Sequence, residues 1–372
     1  MSRYFFTNVA ANLPSTVPFV GPEAQERARG EPFRARIGAN ECVFGPSPKA
    51  IAAMALAAAE SWCYGDPENY DIKRALAEYY QISPDNIIVG EGIDALFGYT
   101  ARLFVEPGTV VATSLGAYPT FNYQVSTCGG RIVTVPYRND QEDTDALIAL
   151  SVAENARLIY LANPDNPMGS WWDAETVQNM IDSVPECALL CLDEAYLEFA
   201  PPGTAPALDV NNDKVLRFRT FSKAYGLAGC RIGYAIGEAE LIQSFDKLRN
   251  HFGVNRIAQA AALAALADQE YVESVIQKVS DARARISTIA TAHDLIALPS
   301  AANFVAIDCC RDGDFARRIL ANLSDNGVFI RMPSVSPQDR CIRVTAGATD
   351  DLDAFEEALP NALYDAKTIT EG

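Results

Sequence analysis

Between about residues 86 and 236 the chain alternates short apolar runs with helical patterns, and this alternation narrows the possible folds more than any other feature. The runs at 87–90, 109–114, 131–136, 157–163, 188–194, 214–222 and 231–237 are each of strand length. Their apolarity is continuous rather than confined to every second position, the pattern of strands buried on both faces. Such strands need helices on both sides, which makes this an α/β domain with a largely parallel, seven-stranded sheet. At 372 residues the chain exceeds one ordinary domain, so a second unit is expected. After Glu238 a long helical stretch leads to short strands at 303–309, 328–332 and 341–347, with a helix over 314–323. This predicts a smaller α+β domain. Residues 1–36 read as an extended arm, because Pro14, Pro18, Pro22 and Pro32 disfavour long regular elements. The division expected is an arm over 1–36 that joins the small domain, a large domain over 37–245 and a small domain over 246–372. Within the large domain, helices are predicted from Pro48 to Ser61 and from Asp71 to Tyr80.

Charge excludes several functions. Asp and Glu number 48 against 30 Lys and Arg, a formal net charge of −18 with no basic run to offset it. Such a surface repels phosphate backbones, so no nucleic-acid partner is expected. No stretch is apolar for long enough to span a bilayer, and the N-terminus lacks the continuous apolar core of a signal peptide. The nine cysteines are scattered without CxxC pairs and only two histidines are present, so no metal site is expected. The chain reads as a cytoplasmic protein with reduced thiols.

Several short segments carry chemistry. Lys223 directly follows a buried strand, with Ser222 before it and Gly226, Gly229 and Gly233 after it. A Schiff-base lysine needs desolvation, and Ser222 and Arg231 would be natural donors to a phosphate. On its own the same segment reads as a loop lysine beside a turn. Asp193 ends an unbroken apolar run, where α/β sheets place their ligand sites. It could hold a protonated pyridine nitrogen, with Tyr196 donating to a ring oxygen, or it could simply cap the next helix. Asn166 sits among Pro164, Pro167 and Gly169, which would present its amide rigidly or merely make a turn. Gly90 and Gly92 flank the entry to a helix beginning near Ile93 and Asp94, whose backbone N–H groups suit a phosphate. Tyr118 could stack on a flat ring, and Arg343 could fork onto a carboxylate. A core aromatic and a surface ion pair are the alternatives for these two.

In their order and spacing these segments resemble the motif series of the class I/II pyridoxal-phosphate (PLP) aminotransferases, over roughly residues 34 to 360. Within that class the chain is most similar to the histidinol-phosphate aminotransferase branch. Ala39-Asn40-Glu41, Gly45-Pro46-Ser47-Pro48, Tyr64-Gly65-Asp66-Pro67 and the run from Ser222 to Gly229 carry this likeness. The resemblance implies fold-type I and bound pyridoxal 5'-phosphate. It implies that Lys223 forms the Schiff base and then moves the proton, that Asp193 pairs with the ring nitrogen, and that Asn166 and Tyr196 hold the ring oxygen. Tyr118 would stack on the ring. Ser222, Arg231 and the backbone of Ile93 and Asp94 would bind the phosphate, with Tyr64 reaching in from the partner of a homodimer. Asn40, Arg331 and Arg343 would face the substrate, Arg343 taking its α-carboxylate or the equivalent group.

The activity implied is transfer of an amino group from a small donor to a 2-oxo acid, with histidinol phosphate and 2-oxoglutarate the leading pair. An aromatic or acidic amino acid aminotransferase, and a PLP decarboxylase of an amino-acid phosphate, are the alternatives, because they share the cofactor residues. A non-catalytic PLP-sensing regulator is disfavoured, since the chain has no spare residues for a DNA-binding module. Three departures put the donor in question. Cys42-Val43 stands where the branch has an Asn/Tyr–Pro pair, and Asp165 and Met168 replace its Asn and Thr. Arg331 lies near the branch's second arginine, which reads a substrate phosphate, but at an imperfect spacing. Arg331 is expected on a strand beside that of Arg343, and with His251 and Arg256 it would focus positive potential on an anionic substrate tail.

Overall fold

The computed structural model describes residues 4–15 and 20–368; the rest of the arm, Pro18 included, lies outside the described residues. In chain order the strands are β1 (Ala35–Arg36), β2 (Ile87–Gly90), β3 (Val110–Ser114), β4 (Arg131–Val135), β5 (Leu158–Ala162) and β6 (Leu189–Asp193). They continue with β7 (Val215–Thr220), β8 (Gly233–Ile236), β9 (Ile296–Ala297), β10 (Phe304–Asp308), β11 (Val328–Phe329) and β12 (Cys341–Thr345). Each of the seven apolar runs contains one strand of a single seven-stranded sheet, ordered β2-β8-β7-β6-β5-β3-β4. The pairs from β7 through β4 are parallel, whereas β8 runs antiparallel to both of its neighbours. The reversal of β8 has a local cause. Between β7 and β8 the chain forms only a short 3-10 turn, Ala228–Cys230, and a parallel crossover needs a dozen or more residues, usually a helix.

The strands bury alternate residues on opposite faces, as a pleat requires. Leu158, Tyr160, Cys191 and Phe218 join a core with Leu96, Phe97, Phe121 and Val125 from the helices Ile93–Phe104 and Pro119–Thr127. Ile159, Leu161, Leu190 and Leu192 face the other way, onto Leu147, Val177 and Ile181 of the helices Thr144–Ala153 and Ala174–Asp182. A third core continues from β2 and β8 through the helices Arg256–Leu266 and Gln269–Thr291 to β10 and β12.

The C-terminal strands form a three-stranded antiparallel sheet, β12-β10-β9, and β1 pairs in parallel with β11. The arm departs from its expected extended form. Pro22 occupies the first turn of an eight-residue helix, Pro22–Arg29, which ends on Gly30 in the left-handed conformation. A proline at that position loses no intrahelical bond, so it starts the helix rather than preventing it. The helix predicted to Ser61 spans Pro48–Ala58, and its neighbour spans Tyr70–Tyr80. Among the described residues no helix is long and apolar enough to cross a membrane.

Candidate active site

The carboxyl ends of the strands converge on one cleft of about 600 Å³. Ile93 and Asp94 enter it just after β2, Tyr118 after β3 and Asn166 after β5; Asp193 ends β6, and Ser222 and Lys223 follow β7. Asn40, Arg331 and Arg343 close the opposite wall. Ligands of open α/β sheets bind at this edge because the loops there leave a crevice. All the site residues expected from the sequence line this one cleft, with the exception of Tyr64.

Lys223 is half-buried, and its Nζ donates to the carbonyl of Asn40 at 2.9 Å and lies 5.5 Å from the centre of the Tyr196 ring. Three residues on, Gly226 has φ +68°, and a Cβ there would fall 2.4 Å from the backbone carbonyl of Gly45. This glycine is required by the segment 45–46 packed against it. Asn40 is itself left-handed, with φ 55°, and its side chain is held from two directions. Its Nδ2 donates to Tyr196 Oη at 3.1 Å, and its Oδ1 accepts from Thr345 Oγ1 at 3.1 Å. Asn303 Nδ2 donates to the same Asn40 carbonyl that receives Lys223, at 3.0 Å.

Asp193 is 5% exposed. One of its oxygens accepts from Tyr160 Oη at 2.7 Å and the other from the backbone N–H of Ala195 at 3.0 Å. Burial pushes its carboxyl up to about 6, against the pull of these two donors. A buried carboxylate with neutral partners at the floor of a cleft suits a cationic group of a ligand. Tyr196 Oη accepts from Asn40 and, at 3.4 Å, from Asn166 Nδ2, which leaves its own proton to be donated into the cleft.

One end of the cleft lies at the N-terminus of the helix Ile93–Phe104. Gly92 caps this helix with φ 85° and offers no side chain to its first N–H groups. A Cβ on Gly92 would meet Arg231 Nη2 at 2.6 Å, so only glycine lets that guanidinium lie over the helix start. Arg231 Nη2 is 3.5 Å from Asp94 Oδ2, and Tyr118 Oη donates to Asp94 Oδ1 at 3.2 Å. Burial, and then the Asp94 charge, hold the Tyr118 phenol well above its ordinary range.

On the substrate wall, Arg343 and Arg331 are bridged antiparallel: Arg343 N donates to the Arg331 carbonyl at 2.6 Å, and the return bond is 3.3 Å. The expected adjacency is therefore present, although Arg331 lies beyond the end of β11. Arg343 donates to Asn166 Oδ1 and to the Gly38 carbonyl, lies over the Phe304 ring, and keeps a buried Nε without a hydrogen-bond partner among the described residues. Arg331 Nη2 donates to the carbonyl of Val20 from the arm at 3.0 Å.

The model of the family described as aminotransferase class I and II matches residues 36–359. The chain is a class I/II aminotransferase. A histidinol-phosphate aminotransferase of Moorella thermoacetica is 30% identical over 351 residues, covering 93% of this chain and 90% of that protein. A second, from Carboxydothermus hydrogenoformans, is 34% identical over 342 residues, covering 90% of this chain and 93% of the relative. The solved structure of histidinol-phosphate aminotransferase from Sinorhizobium meliloti in complex with pyridoxal-5'-phosphate is 52% identical, with a TM-score of 0.95 and 98% of each chain covered. A single mutant of Thermus thermophilus aspartate aminotransferase, 21% identical with a TM-score of 0.82 over 97% of this chain and all of that one, shares the fold. The aminotransferase has the fold-type I architecture.

Two features of this aminotransferase stand apart from the cleft. Tyr64 does not line the cleft of its own chain; it is 76% exposed and packs against Phe252 at 4.8 Å between ring centres. Arg256 is engaged locally, with Nη1 3.2 Å from Glu60 and Nη2 donating to the Tyr64 carbonyl, and His251 is exposed. Tyr160, Asn303 and Thr345 are contacts that pattern reading passed over. The first sits mid-strand and reads as core. Its partner can still be located from register, since Tyr160 pairs with Cys191, two residues before Asp193 on the adjacent strand.

Proposed function

We propose that this aminotransferase uses PLP to transfer the amino group of histidinol phosphate to 2-oxoglutarate. The observation that carries the donor assignment is the bridged pair Arg331 and Arg343 on the substrate wall. Two guanidinium groups from adjacent backbones suit substrates with an anion at each site in turn, a phosphate or a carboxylate. The full-length relatives named above support the same donor.

The cleft fits the cofactor through its donor set: a buried carboxylate, a tyrosine hydroxyl with a proton to give, and a helix start with a guanidinium over it. When bound, PLP supplies an electron sink for the bond broken at the substrate Cα. Lys223 Nζ would be the amine that holds the cofactor and, when free, the base and acid that moves the substrate Cα proton. Asp193 would keep a proton on the ring nitrogen. Tyr196 and Asn166 would hold the ring oxygen, Tyr118 would lie against the ring, and Ser222, Arg231 and the N–H groups of Ile93 and Asp94 would hold the phosphate. Asn40 positions Tyr196 and Lys223 together, since it bonds both.

Tyr64, exposed beside Phe252, completes the phosphate site of a second copy in a homodimer. In this reading the arm 1–36 and the unit 246–372 form the substrate-side domain, 37–245 is the cofactor domain, and the enzyme is cytoplasmic. A donor panel of histidinol phosphate, phenylalanine, tyrosine and aspartate, scored by loss of the cofactor's aldehyde-form absorbance, tests the assignment. Histidinol phosphate should give the highest kcat/KM; an aromatic or acidic amino acid preferred by about tenfold, or about 1.4 kcal/mol, would refute it.

A further inference from the structure

Behind the substrate wall lie two carboxyl groups that transamination does not use. Asp165 and Glu142 are 2% and 1% exposed. Asp165 accepts from Tyr137 Oη at 2.8 Å and from the backbone N–H of Met168 at 3.0 Å. Glu142 Oε1 accepts from the N–H of Ala162 at 2.9 Å, while its Oε2 is buried with no hydrogen-bond partner among the described residues. Met168, Ala306 and Cys341, with Tyr137 and Leu298 packed against them, form an apolar cluster on this side. Burial, and then the Asp165 charge, hold the Glu142 carboxyl well above the carboxylate range, and burial pushes Asp165 up to about 7. Two acids so placed do not both ionise near neutral pH, and they titrate as a pair.

The pair is electrostatically tied to the cleft. Asp165 adjoins Asn166, whose amide oxygen accepts from Arg343. Among the described residues the Arg343 guanidinium bonds only neutral oxygens, so its positive charge has no direct ionic partner in those bonds. It favours the ionised form of Asp165, and Asp165 in return favours the charged form of Arg343. The other groups that act here are Tyr137, which donates to Asp165; Asp193, which disfavours ionisation of both acids; Tyr196 and Tyr118, which like Asp165 favour the charged form of Arg343; and Arg331, which together with burial opposes the charge on Arg343.

We propose that the Asp165–Glu142 pair is the resting counter-charge of Arg343, and that its ionised fraction takes up a proton from solvent when a substrate anion binds that arginine. An arriving carboxylate or phosphate neutralises the guanidinium and so removes what kept the pair ionised. The pair then becomes neutral, with a new O–H bond on one carboxyl as the only covalent change. Anion binding is thereby coupled to pH, weakening as pH rises through the range where the pair loses its proton.

This rests on the reading of Arg343 as the substrate-anion site, and the test separates the two. Succinate, a dicarboxylate with no amino group to react, is titrated into the holoenzyme by calorimetry in buffers of different ionisation enthalpy. The wild type should take up about half a proton per site more than Asp165→Asn at neutral pH, with succinate bound by both. Succinate affinity should fall with rising pH more steeply in the wild type than in the variant. Equal proton uptake by the two proteins overturns the proposal and leaves the Arg343 assignment standing. If Arg343→Ala binds succinate as tightly as the wild type, that assignment fails and the proposal falls with it. Should Asp165→Asn not fold, the infrared difference spectrum of the wild type on adding succinate decides the matter. A gained band of protonated carboxyl supports the proposal, and its absence overturns it.

Discussion

Replacing Asp193 with asparagine should leave the fold and much of the bound PLP in place and remove most of the turnover. The amide is nearly the size of the carboxylate, and its oxygen can still accept from the Ala195 N–H that now lies 3.0 Å away. Its nitrogen then faces Tyr160 Oη, a hydroxyl that can turn to accept where it now donates. What is lost is the negative charge, in a position only 5% exposed. Breaking a buried charge pair by removing one partner costs about 3–5 kcal/mol. Each 1.36 kcal/mol of barrier is about tenfold in rate, so if most of the cost appears in the transition state, kcat falls by about 100- to 1000-fold or more. The phosphate and aldehyde attachments are untouched, so cofactor content should fall far less. Steady-state kinetics with the preferred donor, beside the cofactor absorbance of the same protein sample, measure both quantities. A folded Asp193→Asn enzyme with near-normal kcat would refute the assignment, and so would one that had simply lost its PLP.

Arg331→Ala should raise KM for a donor with a distal anion far more than for a neutral aromatic donor, by about 2 kcal/mol of binding; equal effects on the two would show that Arg331 does not read the anion. Mixing Lys223→Ala protomers with Tyr64→Phe protomers should restore part of the activity if each site borrows Tyr64 from its neighbour, and a fully active monomer by light scattering would end that idea. Asp165 gives a stability prediction with a definite sign. Its carboxyl is raised from 3.8 to about 7, so the stability it contributes is complete below its ordinary value and is lost as pH rises through about 7. The Tm of the wild type should therefore drop relative to Asp165→Asn over that window, and a constant gap between the two would contradict the burial argument.

How far the sequence can be read depends on which physical signal each part leaves. The central strands β5 and β6 announce themselves because burial on both faces demands continuous apolarity, and each predicted run contains a strand, although the edge strand β4 is only partly buried. The direction of β8 leaves no such mark in its composition; it follows from the shortness of the connection through Lys223. The arm misleads because proline is penalised inside a helix and favoured at its first turn, and Pro22 is at the first turn. Lys223, Asp193 and Asn166 are legible because each follows or ends a strand at the edge where clefts form. Glu142, which neither ends a strand nor belongs to a motif, is brought beside β5 by the loop before the helix Thr144–Ala153. Its burial is a tertiary fact with no local signature. Arg256 shows the converse: its charge is visible in the sequence, but the partner that claims it, Glu60, is 196 residues away.

Borohydride reduction of the holoenzyme, followed by proteolysis and peptide mapping, tests the central claim most directly. Reduction makes the bond between cofactor and lysine permanent, so the pyridoxyl group marks whichever amine held it. The account predicts the label on Lys223, the amine that follows β7 and bonds the Asn40 carbonyl at 2.9 Å. Labelling on any other lysine, or none at all in a preparation that carries PLP absorbance, would contradict it.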